Sequence, residues 1–317
     1  MKYKYELAPE LIPVLEAYTS QPAPPAGTPL QDIFRASLKG MAQQVGVTST
    51  DELSVENKYF TNSDQLETQL RVFTPKKIQG PMPCLYWMHG GGTMSGLPEQ
   101  EDSTLYQMAL EIGCVIVSVN YRLAPENPYP KPVNDCYEGL EYVANNPALF
   151  NIDTNKIAIG GGSAGGLLST SCAILARERK GPKLVHQSLT YPMLDPRGIT
   201  ESSKEILNIG VWDRDSNLYG WNCYLTHVKD NIPEFAVPIL VDDLSNLPPA
   251  FIAVGTMDVL RDEAIEYAQK LAASGVIAEL HIYPGMTHVF DSLVPESAAV
   301  KDFNAARNAA IKRAFGL

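Results

Sequence analysis

The chain has 317 residues, of which 45% are apolar and 19% are charged, as in ordinary globular proteins, so collagen-like, disordered and coiled-coil classes are excluded. Asp and Glu number 36 against 25 Lys and Arg, which gives a formal net charge of −11. An acidic surface without a basic stripe repels phosphate backbones, so the composition argues against nucleic-acid binding.

The cysteines and the N-terminal residues bear on the compartment. Five scattered cysteines without a CxxC pair argue against a disulfide framework or a zinc site, and favour a reducing compartment. The first 18 residues contain three glutamates and two prolines, unlike a secretory signal. Because no apolar run reaches the roughly 18 residues that span a bilayer, we expect a cytoplasmic protein with no membrane span.

The predicted elements begin with a helical and loop-like stretch over residues 1–50, interrupted by an extended, proline-rich connector at 21–29. Segments 53–60 and 66–73 predict two strands joined by a polar turn. Further strands are predicted for the short apolar runs at 84–88, 114–119, 156–160, 188–191, 250–254 and 278–283. Helices are predicted where apolar residues recur every three or four positions, at 101–112, 132–145, 164–179, 262–274 and 296–315.

This alternation of apolar strands and amphipathic helices predicts an α/β fold. The expected core is a mostly parallel sheet of about eight strands with helices on both faces. Residues 195–247 interrupt the alternation, because they are polar with scattered aromatic rings. A connection of this length within a compact domain is often a functional lid.

The most informative segment is a glycine-rich turn between a predicted strand and a predicted helix. It reads G-x-S-x-G over residues 161–165 and places Ser163 at its centre. This pattern is typical of a nucleophile elbow, in which the serine lies on a sharp strand-to-helix turn with its hydroxyl above the sheet. A Cβ at either outer glycine would clash with the neighbouring strand and helix.

The same turn allows two other interpretations. One is a glycine turn that only packs a helix on a sheet. The other is a dinucleotide fingerprint, because residues 160–165 also read G-x-G-x-x-G. That fingerprint needs an acidic residue about 20 positions on, whereas Asp195 lies 30 residues past the last glycine (195 − 165).

A serine nucleophile needs a base, and the base needs an orienting acid. In chains with such an elbow, the acid and then the histidine follow the serine. His227 lies in the irregular segment and His281 within a strand, so His288, directly after the last strand, is the predicted base. Catalytic groups of α/β sheets gather at that carboxyl edge.

The orienting acid is predicted at the end of the preceding strand. Asp258 lies on the turn after the apolar run 250–254. Asp262 and Glu263 instead open a helix, where carboxylates favour the N-terminal end of the dipole. We therefore assign the orienting role to Asp258.

A second glycine run, His-Gly-Gly-Gly at 89–92, follows the strand 84–88. Consecutive glycines allow backbone N–H groups to approach a tetrahedral oxyanion, as in the HGGG loop of lipases and esterases. His89 precedes the serine in the chain, so we interpret it as a brace for this loop and not as the base.

With these features, the sequence closely resembles the hormone-sensitive-lipase-like esterases of the α/β-hydrolase superfamily. The resemblance implies the α/β-hydrolase fold and hydrolysis of carboxylic esters by a triad of Ser163, Asp258 and His288. The matching segments, in chain order, are HGGG at 89–92, YRLAPENPYP at 121–130, GGSAGG at 161–166, DVLRDE at 258–263 and HVF at 288–290.

The resemblance also implies an oxyanion hole formed by the N–H groups of Gly91, Gly92 and Ala164. Two positions depart from the family pattern. Gly162 stands where the family usually has Asp or Thr, and Val289 replaces the glycine that usually follows the histidine.

The family resemblance further implies a cap over the active site. We expect residues 1–50 and 195–247 to form this cap, and residues 51–194 and 248–317 to form the catalytic domain. The pocket beneath it is expected to be apolar. The residues predicted to line it are Met94, Trp212, Trp221 and Tyr224.

The sequence thus predicts a serine carboxylesterase that hydrolyses short-chain acyl esters through an acyl-enzyme, without a metal or organic cofactor. Its expected partner is a small-molecule ester, and an exposed sheet edge at 278–283 leaves a homodimer open. An amidase or peptidase with the same triad and a non-catalytic ligand-binding protein on the same fold remain alternatives. The presence of His288 argues against the non-catalytic ligand-binding protein. A dinucleotide-dependent oxidoreductase is a more distant alternative.

Overall fold

An eight-stranded sheet organises the chain, whose computed structural model describes residues 3–20, 22, 24–209, 211–228 and 231–317. The strand order is β1-β2-β4-β3-β5-β6-β7-β8. The strands are β1 (Leu53–Thr61), β2 (Glu67–Pro75), β3 (Met82–Met88), β4 (Val115–Val119), β5 (Ile152–Gly162), β6 (Leu184–Thr190), β7 (Ala250–Met257) and β8 (Ala278–Thr287).

The sheet is mostly parallel. β2 runs antiparallel to both β1 and β4, whereas β3 pairs in parallel with β4 and β5, and β5 to β8 continue in parallel. The predicted α/β fold with about eight strands is therefore confirmed. β8 lies at one edge of the sheet, and the homodimer through this edge stays a prediction.

Eleven helices occur in the described ranges. They are α1 (Ile12–Thr19), α2 (Leu30–Val45), α3 (Asp102–Ile112), α4 (Lys131–Asn145), α5 (Pro147–Phe150), α6 (Ala164–Glu178), α7 (Glu201–Glu205), α8 (Arg214–Tyr224), α9 (Arg261–Ala273), α10 (Phe290–Leu293) and α11 (Ala298–Phe315). Short 3-10 turns occupy Pro9–Leu11, Pro98–Glu101, Glu234–Ala236 and Pro238–Leu240.

Helices cover both faces of the sheet, as the uninterrupted apolar strands predict. In β3, Leu85 and Trp87 belong to a buried cluster with residues of α3 and α11. The alternate residues Cys84, Tyr86 and Met88 belong to a larger cluster with residues of α4, α6 and α9. Because successive strand side chains point to opposite faces, a strand covered on both sides, such as β3, is apolar along its whole length.

Four strands extend at least three residues beyond their predicted limits: β6 begins at 184 instead of 188, β7 ends at 257 instead of 254, and β5 and β8 are also longer than predicted. β5 begins at Ile152, not at 156, because its first residues are polar and partly exposed and hide the apolar pattern. β8 continues past the predicted end at Tyr283, through Pro284 and Gly285, to Thr287. A Pro-Gly pair usually marks a turn, but here the pairing with β7 resumes at Thr287.

The segments outside the alternating pattern lie over the carboxyl edge of the sheet. Residues 195–247 contain α7, α8 and two 3-10 turns in their described parts. The Tyr219 hydroxyl of α8 donates a hydrogen bond to Gln31 of α2, so the two segments are in contact. The connector at 21–29 has no helix where it is described, and its positions 21 and 23, like 210, 229 and 230, lie outside the described residues. None of the described helices has both the length and the apolar character that crossing a bilayer requires.

Candidate active site

Ser163 occupies the sharp turn between β5 and α6. Its backbone lies at φ 56° and ψ −118°, a region that side chains rarely adopt. A Cβ on Gly161 would lie 2.4 Å from the Met88 carbonyl oxygen, and one on Gly165 would lie 2.0 Å from the same oxygen. The outer glycines therefore let β5 and α6 approach the end of β3, as the G-x-S-x-G pattern predicts.

Three distant side chains meet above this turn. The Ser163 Oγ lies 2.9 Å from the Nε2 of His288, and the His288 Nδ1 lies 2.9 Å from the Asp258 Oδ2. Ser163 follows β5, Asp258 follows β7 and His288 follows β8, so the parallel strands deliver all three to one edge of the sheet. All three are almost fully buried.

Backbone and aromatic contacts hold the acid and the base. The second oxygen of Asp258, Oδ1, accepts the Leu260 N–H at 2.9 Å, which fixes the carboxylate. The ring of Tyr191 packs edge-on against His288 with 4.6 Å between ring centroids, and the Tyr191 hydroxyl donates to Asp291 at 2.7 Å. The imidazole is thus confined between its carboxylate partner and an aromatic ring.

The neighbouring acids and histidines have other partners. Asp262 accepts the Ser202 N–H and pairs with Arg261, and Glu263 accepts the Leu194 N–H. Both lie in the first turn of α9, as expected. His281 lies 2.9 Å from Glu279 on β8.

The glycine loop at 89–92 faces the serine. Gly91 and Gly92 have φ values of 126° and 61°, which L side chains rarely adopt. Among the described residues, nothing accepts a hydrogen bond from either N–H. Ala164 is the first residue of α6, and a helix leaves its first N–H groups without an intrahelical acceptor.

His89 braces this loop from below. Its Nδ1 lies 2.8 Å from the Gly90 carbonyl oxygen, and its ring stacks on Tyr121 with 4.2 Å between centroids. The Tyr121 hydroxyl donates to the His89 carbonyl oxygen at 2.8 Å. Burial lowers the pKa of His89 to about 4, so the ring is neutral near pH 7.

A cavity of about 190 Å³ opens onto Ser163 and His288. A water molecule needs roughly 10–15 Å³ by the same measure, so a small organic molecule fits. Four aromatic rings line it: Tyr18 of α1, Phe34 of α2, Tyr191 and Trp212.

The predicted pocket residues are only partly placed at this cavity. Trp212 lines it, and its ring lies over Gly92, where a Cβ would be only 2.4 Å away. Met94, Trp221 and Tyr224 do not line the described wall of the cavity, which corrects that prediction. They are at most 2% exposed and pack in the large core cluster, because large apolar side chains gain most from full burial.

Several cavity residues were missed by sequence reasoning. Tyr18 and Phe34 belong to the stretch expected to form the cap, but nothing in their local pattern indicates which ring faces the serine. Glu101 also lines the cavity. Its Oε1 accepts the Gly90 N–H at 3.1 Å, and its Oε2 accepts the Trp87 Nε1–H. Burial raises the pKa of Glu101 to about 7, although both hydrogen bonds act in the opposite direction.

The structure also bears on the alternative interpretations. Asp195, the acid that a dinucleotide site would require, is 1% exposed and pairs with Arg197. In the described part of the chain, no group of three or more His, Cys, Asp or Glu side chains is arranged to hold a metal ion.

A serine on a strand-to-helix turn, with aspartate and histidine supplied by the ends of the next strands of a mostly parallel sheet, defines an α/β hydrolase. Residues 85–292 match the model of the Abhydrolase_3 family, which is described as an alpha/beta hydrolase fold. The chain belongs to this hormone-sensitive-lipase-like family of α/β hydrolases and is a carboxylic ester hydrolase.

Known relatives share most of their length with this chain. Carboxylesterase NlhH of Mycobacterium tuberculosis is 34% identical over 268 residues, which cover 83% of this chain and 84% of that protein. A solved structure of a bacterial heroin esterase superimposes with a TM-score of 0.90 at 32% identity, covering 98% of both chains. A hyperthermophilic esterase from Pyrobaculum calidifontis has a TM-score of 0.87 at 31% identity, covering 97% of this chain and 98% of that one.

Proposed function

We propose that this protein is a serine carboxylesterase that hydrolyses short-chain acyl esters through an acyl-enzyme intermediate. The observation that carries the proposal is the pair of 2.9 Å contacts that connect Ser163 to His288 and His288 to Asp258. Ser163 and His288 both line the cavity. A serine hydroxyl becomes an effective nucleophile when a base within hydrogen-bond reach removes its proton.

In the proposed first half-reaction, the Ser163 Oγ attacks the ester carbonyl carbon while the His288 Nε2 takes the hydroxyl proton. Asp258 keeps the Nδ1–H tautomer in place and stabilises the imidazolium. The tetrahedral oxyanion accepts hydrogen bonds from the N–H groups of Gly91, Gly92 and Ala164. The C–O bond then breaks, and His288 gives its proton to the departing alcohol.

In the second half-reaction, His288 takes a proton from water, which attacks the acyl-enzyme carbonyl. Collapse of the second tetrahedral intermediate releases the carboxylic acid and returns the proton to the Ser163 oxygen. Only protein groups and water take part in this scheme.

The preference for short acyl chains rests on the size and closure of the cavity. Its volume of about 190 Å³ is bounded by rings from α1 and α2 on one side and by Trp212 on the other. We accordingly assign residues 1–50 and 195–247 to a cap, and residues 51–194 and 248–317 to the catalytic domain. A chain-length series of p-nitrophenyl esters tests the preference, which is refuted if long acyl esters react faster than short ones.

The test of the mechanism is Ser163→Ala assayed with p-nitrophenyl acetate. We expect kcat to fall by about 10⁴-fold or more, because the nucleophile is removed. An organophosphonate is expected to label the unaltered protein once, at Ser163. Ser171→Ala is the matched control, because this buried hydroxyl of α6 has no hydrogen-bond partner among the residues that the structure describes, and its loss is expected to leave kcat unchanged.

Two results would contradict the proposal. Substantial esterase activity in folded Ser163→Ala would exclude the serine mechanism. Absence of both turnover and labelling in the unaltered protein would favour a non-catalytic ligand-binding role. The matched pair p-nitrophenyl acetate and p-nitroacetanilide separates an esterase from an amidase.

A further inference from the structure

The wall of the cavity contains a carboxylate, Glu101, that makes no direct ion pair with any described positive side chain. The groups that donate hydrogen bonds to Glu101 are the Gly90 N–H, the Trp87 indole N–H and the Gln100 side-chain amide, and all of them are neutral. Within the described residues, no Lys, Arg or His forms an ion pair with Glu101, and no Lys or Arg lines the cavity. Neutral donors orient a carboxylate but leave its net charge in place.

Several carboxylates of this chain are more deeply buried than Glu101, and one of them, Glu263, likewise accepts only neutral donors in the described part of the chain, the backbone N–H groups of Leu194 and Asp195. Three others have a different arrangement. The side chains of Asp102, Asp135 and Asp195 are at most 1% exposed, and each forms an ion pair with an arginine. Removal of a carboxylate from water is costly unless a counter-charge compensates it. A raised pKa is one response to this cost, and a cation bound in the cavity is another, because it supplies the counter-charge that none of the described side chains in contact with Glu101 provides.

The position of Glu101 places such a ligand next to the reacting atoms. A Cβ built on Gly90 would lie 3.6 Å from the Ser163 Cβ and 3.9 Å from the Glu101 Oε1. The Glu101 carboxylate oxygen and the Ser163 Cβ therefore both lie within 4 Å of this one position. The remaining wall carries four aromatic rings, including Trp212 and Phe34, and aromatic faces attract cations at close range.

We propose that Glu101 makes this site selective for esters whose acyl or alcohol part carries a positively charged ammonium group. The inference rests on the proposed function, because it assigns a substrate class to the same cavity. The ammonium group stacks against the aromatic wall and pairs with Glu101, while the ester carbonyl reaches Ser163. No bond is made or broken at Glu101.

This selectivity depends on pH. Burial raises the pKa of Glu101 to about 7, and the negative charge of Asp291 contributes in the same direction. The other titratable or charged groups near it are Tyr191, Tyr121, Arg307 and the cavity residue His288. Since a raised carboxyl pKa means a neutral group below that pH, the preference for cations is weak near pH 6 and strong near pH 8.

The experiment compares esters of equal shape and different charge. Acetylcholine is paired with the neutral 3,3-dimethylbutyl acetate, so that the two esters differ in charge on the alcohol part. Ethyl 4-(trimethylammonio)butanoate is paired with the neutral ethyl 5,5-dimethylhexanoate, so that these two differ in charge on the acyl chain. In at least one pair, we expect kcat/KM of the cationic ester to exceed that of the neutral ester by about tenfold at pH 8.

Glu101→Gln is expected to lower this ratio by about tenfold, because it removes the charge and keeps the shape. The ratio cancels effects on the oxyanion loop and on His288, which both esters share. Glu99→Gln is the matched control: it removes a charge from the same 3-10 turn, where Glu99 contacts Gln69 and not the cavity, and it is expected to keep the ratio. Between pH 6 and pH 8, the ratio of the unaltered protein rises several-fold, and that of Glu101→Gln stays flat.

Two results overturn the inference: cationic-to-neutral ratios of kcat/KM near one in both pairs at pH 8, or a ratio that Glu101→Gln leaves unchanged. If the neutral esters are still hydrolysed, the proposed function stands. Absence of turnover for all four esters overturns the proposed function instead. Calorimetric binding of tetramethylammonium to Ser163→Ala gives a readout without turnover. We expect this binding to weaken about tenfold in the double variant that also carries Glu101→Gln, and equal binding in the two proteins contradicts the inference.

Discussion

At the scale of single residues, adjacent glycines of the nucleophile turn have different reasons to be glycine. A Cβ on Gly161 would lie 2.4 Å from the Met88 carbonyl oxygen, a backbone atom that cannot move aside. The nearest contact of a Cβ on Gly162 would be 3.4 Å from the Tyr191 ring, an ordinary van der Waals distance. Gly162, where the family usually has a larger residue, is therefore a tolerant position.

These two glycines give a paired prediction. We expect Gly161→Ala to lower the free energy of unfolding by about 1–3 kcal/mol and kcat by at least tenfold, because the clash displaces the serine turn. Gly162→Ala is expected to change neither the free energy of unfolding nor kcat by more than a small amount. Urea unfolding and hydrolysis of p-nitrophenyl acetate measure the effects. Equal losses in both variants would contradict the steric argument.

The sequence predicts the residues above the serine turn better than those that surround the substrate. Ser163 and Asp258 directly follow apolar strands, and His288 follows the edge strand β8. Because parallel strands deliver their carboxyl ends to one edge, the local pattern is sufficient to expect their meeting. Glu101 and Phe34 come from segments whose position over that edge depends on tertiary packing. No periodicity distinguishes an aromatic ring that faces the cavity from one, such as Trp221, that packs beneath it.

At the scale of elements, the side chain of Arg35 connects α2 to the loops beside the site. Arg35 donates hydrogen bonds to the carbonyl oxygens of Met94 and Ala124 at 2.8 and 2.9 Å, and it pairs with Glu126. The ion pair is partly exposed and screened by solvent, so the carbonyl contacts carry more of the docking. Phe34 on the same helix reaches the cavity.

We expect Arg35→Ala to raise KM for p-nitrophenyl acetate by about three- to tenfold with little change in kcat, because it loosens the wall and not the triad. Lys39→Ala, on the exposed side of α2, is the control and is expected to leave KM unchanged. A fall in kcat without a change in KM would indicate that Arg35 acts on the glycine loop through Met94 instead.

Elements are predictable where burial imposes a pattern. The buried strands β3 and β4 are apolar except for Ser118 of β4, and the helices that cover them repeat their apolar residues, so both follow from the sequence. The helices α7 and α8 escaped prediction, because each buries only part of its surface within a polar segment. The Thr200 and Asp213 caps that begin these helices are local signals that a closer search of the sequence would find.

At the scale of the whole molecule, one buried ion pair joins three parts of the chain. Asp102 at the start of α3 accepts two hydrogen bonds from Arg71 of β2 and one from the Val47 N–H after α2. The side chain of Asp102 is fully buried and that of Arg71 is 11% exposed. The N-terminal segment, the sheet and a covering helix are thus connected at one point.

We expect Asp102→Ala to lower the free energy of unfolding by about 3–5 kcal/mol, because it leaves the Arg71 guanidinium buried without its counter-charge. Glu52→Ala removes the exposed pair with Lys77 and is expected to leave stability unchanged. Urea unfolding followed by circular dichroism measures both. Equal midpoints for the two variants would show that the buried pair does not contribute to stability.

The backbone conformation of Ser163 has a consequence for the chain during its synthesis. The reactive geometry exists only after β3, β5 and α6 have closed around the turn, and after β7 and β8 have added the acid and the base from the last fifth of the sequence. A chain still emerging from the ribosome therefore carries an ordinary alcohol at this position. We expect this unfinished chain to be inert toward activated acyl compounds and phosphonates, so that modification of Ser163 by such reagents would report finished folding as well as chemistry.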